Sequence, residues 1–450
     1  MSATRMSRRA LLGVAAAGAV SATSGLSWGM GRTPLGGRFS LHLPWPTRMI
    51  DPHDLRDPTA ALFGAAIADP LYGLDGAGNP YPALATALPT REATGTVVRL
   101  REGLRTARRV ALDARDVIAS VERARARGGA AVLTDIPRPA PYPGDSLAAI
   151  FGSVDPQKLA RALASPLVSL LPRSFDPASP DGTGAFRADC GADKLTLTRN
   201  PLAARGASFL EGIDVSRADD LTTSLRSFEA ERNDVGWLGL GLHGERRGSL
   251  RFDLGRAAWI VLAIGPQAGG FGAPGVAQRL LDAVPPERLG HLGLGALPQA
   301  SGDPAWGGAP SELLVDEGSA HLVEIGRTLA PILSRPGHEV TVTPIVRGEL
   351  GRRRAKGQAT LALEVVRAAM PGPLGALLSL AAADDPARAR ELAQHPPRLA
   401  PNASARALTH SLHVGVLGEL RVMGGQMPDL VLARGAEGWD LGASFRKHKR

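Results

Sequence analysis

The residues best suited to metal or acid–base chemistry are a histidine pair and an aspartate pair near the end of the sequence. His410 and His413 lie three positions apart, so a helix would place them on one face and a strand on opposite faces. Imidazole is a common zinc and nickel ligand, but isolated histidines are more often surface or core residues. We predict no bound metal and keep the pair as candidate ligand contacts. Asp384 and Asp385 precede Pro386, where a helix cap explains them better than paired catalytic carboxylates.

Three tryptophans are further candidates for contact with a ligand. Trp237, Trp259 and Trp306 could line a cleft with their flat apolar rings, although burial in a core is the commoner fate of tryptophan. Aromatic residues make up only 4% of the chain, which leaves few surfaces for stacking. We therefore include these three side chains among the candidate ligand contacts.

The sequence lacks the motifs of common hydrolases and nucleotide-dependent enzymes. It contains no Gly-x-Ser-x-Gly elbow, no His-Glu-x-x-His helix and no P-loop. Gly239-Leu-Gly241 and Gly293-Leu-Gly295 lack the third glycine and the acidic residue of a dinucleotide site. Cys190 is the single cysteine, has no histidine near it in sequence and cannot form an intrachain disulfide. We predict that the protein is not an enzyme and holds no cofactor.

Positive charge is spread along the chain and not gathered into a nucleic-acid patch. The 52 Lys and Arg residues exceed the 43 Asp and Glu residues and give a formal net charge of +9. The two local concentrations, Arg352–Lys356 and 446–450, have no interleaved aromatic residues. A solvated face explains them better than phosphate binding does, so we predict no nucleic-acid partner.

The first thirty residues are typical of an export signal. Arg8 and Arg9 directly precede an apolar run from Leu11 to Val20, which is the arrangement of a twin-arginine signal. The run is shorter than the about 20 residues that cross a bilayer, and small residues follow it. A buried amphipathic helix is the alternative, but the run has no polar face. We predict that residues 1–37 are signal and linker and that the folded protein is periplasmic or extracellular.

Strands and helices alternate along the rest of the chain. Apolar and polar residues alternate at 38–43, 96–101 and 195–198, which predicts strands. Helical spacing at 57–71 and 113–127 predicts helices, the second capped by an aspartate. This alternation predicts an α/β fold. Because 450 residues exceed the usual size of one hydrophobic core, we expect at least two lobes.

Several short motifs occur in an order shared with a known family. In chain order they are Leu43–Pro46, Ile50–His53, Gly78–Ala85, Val97–Gly103, Leu112–Val117, Leu163–Pro166, Asp181–Phe186 and Leu195–Pro201. Their order resembles that of family 5 of the extracellular solute-binding proteins, which serve peptide, nickel and related ABC importers. The likeness includes the Asp-Pro-His turn at 51–53 and the Gly-Thr-Gly turn at 182–184, and the sequence looks like a divergent member of that family.

The resemblance implies a fold, a set of domains and a function. The fold would be α/β and two-lobed, like periplasmic binding proteins of type II in the peptide-binding cluster, with a hinged cleft between the lobes. Lobe I would comprise 38–255, with 405–450 returning to it, and lobe II would comprise 256–404. The implied function is capture of a small ligand by a monomer that delivers it to the membrane permease of an ABC importer. His53, in the family's Asp-Pro-His turn, joins the candidate ligand contacts.

One expected part of the ligand site is missing. Peptide-binding members commonly carry an acidic residue in an aromatic-rich stretch of the second lobe, which pairs with the peptide's amino terminus. The corresponding stretch here is 357–366, with alanine or leucine at the expected position, and Pro371–Gly375 replaces the aromatic-aspartate-proline motif that follows. The resemblance therefore predicts a binder of an unidentified small solute. The alternatives are an interaction or envelope protein that has lost its cleft, and an exported hydrolase.

Overall fold

A computed structural model describes residues 35–237, 246–436 and 438–447 of the chain. Arg8 and Arg9 of the predicted export signal and the Gly239-Leu-Gly241 pattern lie outside the described residues. Within the described ranges, none of the helices has both the length and the apolar character needed to cross a membrane.

The described residues alternate between strands and helices as predicted. The strands are β1 (Arg38–Leu43), β2 (Tyr72–Leu74), β3 (Pro80–Pro82), β4 (Thr90–Glu92), β5 (Gly95–Arg99), β6 (Ala140–Pro141), β7 (Ala148–Phe151), β8 (Phe186–Cys190), β9 (Lys194–Arg199), β10 (Gly212–Arg217), β11 (Val235–Trp237), β12 (Leu250–Ile264), β13 (Ser311–Asp316), β14 (Val340–Ile345), β15 (Leu361–Arg367), β16 (Val414–Gln426), β17 (Leu430–Arg434) and β18 (Trp439–Arg446). The helices are α1 (Pro58–Ile67), α2 (Ala114–Arg125), α3 (Pro156–Ala162), α4 (Leu221–Glu229), α5 (Val276–Asp282), α6 (Pro286–Leu289), α7 (Ala320–Leu333), α8 (Arg347–Ala355), α9 (Gly372–Asp384), α10 (Pro386–Gln394) and α11 (Ala405–Leu408).

One ten-stranded sheet runs through both lobes. Its order is β14-β13-β15-β12-β16-β11-β1-β10-β9-β8. Below, lobe I and lobe II denote the ranges predicted for them from the sequence. In lobe I, β1 runs parallel to β10 and β11; in lobe II, β13 runs parallel to β14 and β15. The long antiparallel strands β12 and β16 lie between these groups, because they pair with each other from Leu250–Gln426 to Ala263–Val414. This two-stranded ribbon therefore belongs to both lobes, and the predicted boundary at 255/256 falls inside β12.

The main hydrophobic core follows this sheet. In β1, alternate residues Phe39, Leu41 and Leu43 are buried, so the alternation at 38–43 identified a strand with one face in the core. The same core continues through the carboxyl-terminal half of β12, residues 257–264, and into the helix α7 of lobe II. Both lobes thus share one packed core along the sheet, which fixes how the cleft residues are presented.

A small domain lies within the range predicted for lobe I. Its sheet has the order β4-β5-β7-β6, and its core is separate from that of the main sheet. Helix α2 covers this sheet and begins with the predicted cap, because the Asp113 carboxylate accepts hydrogen bonds from the amides of Arg115 and Asp116. The Asp116 carboxylate in turn accepts from the Asp113 amide, which completes a capping box.

Candidate functional site: a cavity between the lobes

A cavity of about 400 Å³ lies where lobe I, lobe II and the small domain meet. Lobe I contributes α1, the segment 205–206 and the residues between 434 and 442 in and around the β17–β18 hairpin. Lobe II contributes 368–371, directly after β15, and the small domain contributes residues around β2 and β3. A volume of this size is within the range of small-molecule sites, and its walls come from parts of the chain that lobe movement would separate.

Asp69 is the buried acid of this cavity. It follows α1 closely, and its side chain is only 7% exposed. The Thr183 hydroxyl donates a hydrogen bond of 2.9 Å to Asp69 Oδ2, and the Arg205 guanidinium lies 3.8 Å from Oδ1. Burial raises the pKa of the Asp69 carboxyl, against the opposing effects of Arg205 and Thr183.

The Gly-Thr-Gly motif holds Thr183 in this position. A side chain on Gly182 would come within 2.4 Å of the Ile67 carbonyl oxygen, and one on Gly184 within 2.5 Å of the Ala66 carbonyl oxygen. The Gly184 amide donates to the Ile67 carbonyl at 2.8 Å. Glycine is therefore needed because the turn packs directly on the last residues of α1, and this contact brings the threonine hydroxyl to Asp69.

Further charged and polar groups surround Asp69. The Arg205 guanidinium also donates to the Tyr81 hydroxyl at 3.3 Å. The Asp440 carboxylate accepts from the Ala443 amide at 3.1 Å, and its negative charge contributes to the raised pKa of Asp69. Arg434 lies at the exposed edge of the cavity. Two acids and two arginines thus line the site.

The remaining wall is largely apolar. Trp439 is 5% exposed, and its indole nitrogen donates to the Leu62 carbonyl at 2.6 Å, which fixes the ring beside α1. Lobe II faces it with Ala368, Met370 and Pro371. The lobe II wall therefore carries apolar residues, where the sequence resemblance led us to look for an aromatic-aspartate-proline motif.

The structure places the three candidate tryptophans in the core and not in the wall of this cavity. Trp237, Trp259 and Trp306 are fully buried. The Trp237 ring packs edge-on against Trp45, with ring centres 5.0 Å apart. The Trp306 indole donates to the Ala309 carbonyl at 2.8 Å. Their side chains are enclosed by protein, so we do not assign them to ligand contact.

The three candidate histidines are also separate from the cavity lining. His53 is buried, and its Nε2 lies 2.7 Å from the Ser169 carbonyl oxygen; burial lowers its pKa to about 4. His413 Nδ1 lies 3.1 Å from Asp384 Oδ2, while His410 is exposed. In the part of the chain that the structure describes, no three His, Cys, Asp or Glu side chains are grouped as a metal site. Asp385 caps α10, as predicted.

Away from the cavity lining, a set of charged contacts joins the loop 51–57 to lobe II. The Arg347 guanidinium lies 3.1 Å from Asp54 and 3.7 Å from the buried Asp57. The Arg56 guanidinium lies 3.2 Å from the buried Glu364 of β15. We refer to these five residues as the inter-lobe ion network. It joins the amino-terminal part of lobe I directly to lobe II.

Buried arginine contacts reinforce this junction. The Arg367 guanidinium donates to the carbonyl oxygens of Pro52 and Asp54 at 2.9 and 3.1 Å, and its amide donates to the Leu55 carbonyl at 2.9 Å. On the opposite side, the Asp51 carboxylate accepts two hydrogen bonds, each of 2.8 Å, from the guanidinium of Arg123 in the small domain. The Asp-Pro-His turn thus connects lobe I with lobe II and with the small domain. His53 is buried at this junction, where it contacts the Ser169 carbonyl oxygen.

The chain is similar to solved structures but not to known families or curated sequences. No protein-family model matches the chain, and no curated protein matches it. The similar solved structures include the ABC transporter-associated periplasmic binding protein DppA from Helicobacter pylori in complex with peptide STSA. It has 16% identity and a TM-score of 0.68, and the match covers 92% of this chain and 99% of that one.

Two further structures are similar over nearly their whole length. NikA from Brucella suis in complex with Fe(III)-EDTA has 15% identity and a TM-score of 0.61, covering 91% of this chain and 100% of that one. The binding protein AgaA from A. tumefaciens R10 in complex with agropinic acid has 13% identity and a TM-score of 0.68, covering 92% and 99%. These likenesses confirm the predicted α/β, two-lobed fold of the periplasmic binding proteins.

Proposed function

We propose that this protein is an extracytoplasmic solute-binding protein that captures a small ligand in the inter-lobe cavity and delivers it to an ABC importer. The observation that carries the proposal is the cavity itself, because lobe I, lobe II and the small domain all contribute to its wall. A ligand that contacts both lobes stabilises the closed arrangement. The three similar structures described above are complexes with a peptide, with Fe(III)-EDTA and with agropinic acid.

Export by the twin-arginine route and action as a monomer with a membrane permease are parts of the same proposal. The paired Arg8 and Arg9 before the apolar run support export. Cell fractionation of the full chain and of an Arg8→Lys, Arg9→Lys double variant tests it. We expect the wild-type protein outside the cytoplasm and the variant retained inside; equal distribution of the two would contradict this route.

A thermal-shift screen tests ligand capture. The protein is heated with peptides and free amino acids, with nickel chelates and with sugars, each well above its expected dissociation constant. A ligand at about 100 times that constant adds about 2.7 kcal/mol to the free energy of unfolding, so at least one class should raise the melting temperature. A Met370→Arg variant, which puts a long charged side chain into the cavity wall, should lose the shift. Absence of any shift with all three classes would contradict the proposal.

One observation favours a second candidate function. The inter-lobe ion network and Arg367 fill the junction between the loop 51–57 and lobe II with protein groups. Such a junction suits a protein that keeps its lobes together and acts by binding another protein. The same screen separates the two candidates, because a cleftless interaction protein would show no ligand-dependent shift.

A further inference from the structure

The carboxylate of Asp69, in the wall of the inter-lobe cavity, has a hydrogen-bonding position that no described residue fills. Oδ2 accepts from Thr183, but among the described residues Oδ1 accepts no hydrogen bond, and its nearest cation, Arg205, is 3.8 Å away. Asp69 is only 5% exposed overall and belongs to the cavity wall. A carboxylate oxygen can accept more than one hydrogen bond, so this position is available to a donor on a ligand.

The neighbouring backbone makes the same corner of the cavity attractive to a cation. Asp69 comes just after the last turn of the ten-residue helix α1, whose carboxyl end carries partial negative charge. Asp440 adds a second carboxylate close enough to raise the pKa of Asp69. Arg205 and Arg101 oppose these charges. Arg205 is about half exposed, and its guanidinium also donates to Tyr81, while the Arg101 guanidinium donates to a backbone carbonyl oxygen at 2.7 Å. The space beside Oδ1 is therefore suited to a further hydrogen-bond donor with positive charge.

We propose that the ligand carries an ammonium group that binds Asp69 and a compact apolar body that packs against Trp439 and Met370. This inference rests on the solute-binding function proposed above. It places recognition of the positive group in lobe I, opposite the apolar segment 368–371 of lobe II. The volume of about 400 Å³ is in the lower part of the range of small-molecule sites, which suits a small amine or amino acid.

The remaining charges of the cavity limit what else the ligand carries. Arg434 is exposed at the rim, and no ion pair is assigned to its side chain within the described ranges. A carboxylate at the far end of the ligand would meet this guanidinium, whereas the ammonium would meet Asp69. An amine alone should bind, and an amino acid of the same shape should bind more tightly.

Three probes with one apolar body test the inference by isothermal titration calorimetry on the full protein. Isopentylamine carries only the ammonium, 4-methylpentanoate only the carboxylate, and leucine both. We expect isopentylamine and leucine to bind and 4-methylpentanoate not to bind. In the Asp69→Asn variant, which keeps the side-chain size and the contact to Thr183, affinity for both amines should fall about 10- to 100-fold. The matched control is Asp189→Asn, which changes an exposed acid of β8, and it should bind as the wild type does.

The pH dependence gives a second readout. Protonation of Asp69 removes the charge that holds the ammonium, and its raised pKa means that affinity should fall at a higher pH than for an ordinary aspartate. Unchanged amine affinity in Asp69→Asn, or binding of 4-methylpentanoate in preference to the amines, would overturn the inference. If 4-methylpentanoate, or a nickel chelate or sugar from the thermal-shift screen, bound while the amines did not, the solute-binding function would stand without the ammonium. If no solute bound, both would fall.

Discussion

His321 shows how one buried side chain links the stability of the lobe contact to pH. Its Nε2 lies 2.8 Å from the Leu292 carbonyl oxygen, and its ring stacks on Trp45, with ring centres 6.4 Å apart. The backbone amide of His321 also donates to the Pro44 carbonyl at 3.4 Å. Complete burial lowers its pKa from 6.5 to about 4. The imidazole is therefore neutral in the folded protein over a range where the unfolded chain binds a proton.

This difference predicts that acid weakens the fold. Between pH 6.5 and about 4 the unfolded state binds more protons at this site than the folded state does. The free energy of unfolding therefore falls by about 1.4 kcal/mol for each unit by which the pH decreases, for one such histidine. Burial also lowers the pKa of His53 to about 4, so this residue too makes the free energy of unfolding fall as the pH decreases. Urea unfolding at several pH values should show a shallower decline for His321→Gln than for the wild type, with the exposed-residue variant His410→Gln as control. Equal slopes for His321→Gln and wild type would contradict the assignment.

At the scale of elements, the contact between α1 and the Gly-Thr-Gly turn decides the geometry of Asp69. The turn joins two residues 114 positions apart in the chain, Asp69 and Thr183. A Gly184→Ala variant would place a methyl group 2.5 Å from the Ala66 carbonyl oxygen, so the turn must move away from α1. We expect a loss of about 1–3 kcal/mol in the free energy of unfolding and weaker ligand binding.

Gly76→Ala is the matched control for this variant, because a Cβ at that position has no heavy atom within 4 Å. Its free energy of unfolding, measured in urea, should stay within about 0.5 kcal/mol of the wild-type value. Equal stability of Gly184→Ala and Gly76→Ala would show that the turn can move away from α1 without loss of stability. The position of Asp69 would then depend on other contacts.

Local patterns predicted the elements better than they predicted the cavity. The alternation in β1 and the caps at Asp113 and Asp385 depend on neighbours in sequence, so the residue pattern alone was enough to identify them. The importance of Asp69 depends on contacts with distant residues, which no local pattern encodes. A charged residue within the otherwise apolar stretch 65–71 was the one available signal.

The tryptophans illustrate the same limit. Composition could identify Trp237, Trp259 and Trp306 as large and apolar, but not whether a ring faces a core or a cleft. All three are fully buried, whereas Trp439, which had no distinguishing neighbour in sequence, lines the cavity. Which face of a sheet or hairpin borders the cavity is decided by packing between segments hundreds of residues apart.

For the whole molecule, the inter-lobe ion network should govern how firmly the lobes are held together. Removing Arg347 leaves the buried Asp57 without its nearest side-chain cation, and this costs about 1–3 kcal/mol. We expect Arg347→Ala to lower the free energy of unfolding and to increase the radius of gyration measured by small-angle X-ray scattering.

Arg352→Ala on the same helix is the control for this prediction. Its guanidinium pairs with Glu349 at 2.8 Å in a largely exposed position, so the change should cost less than about 0.5 kcal/mol. A radius of gyration that stays the same in both variants, with equal stability, would show that the ribbon and the shared core alone set the relative position of the lobes.

The central place of β16 in the sheet has a consequence for the order in which the molecule can be completed. Strands β12 and β11 are joined through β16, so without residues 414–426 the sheet consists of two unconnected halves. The hairpin β17–β18, which supplies Trp439 and Asp440 to the cavity, comes later still. Both half-sheets consist of strands that precede β16 in the chain, so during synthesis each half can form before the strand that unites them is made. The wall of the cavity is complete only when the chain has been made as far as Gly442.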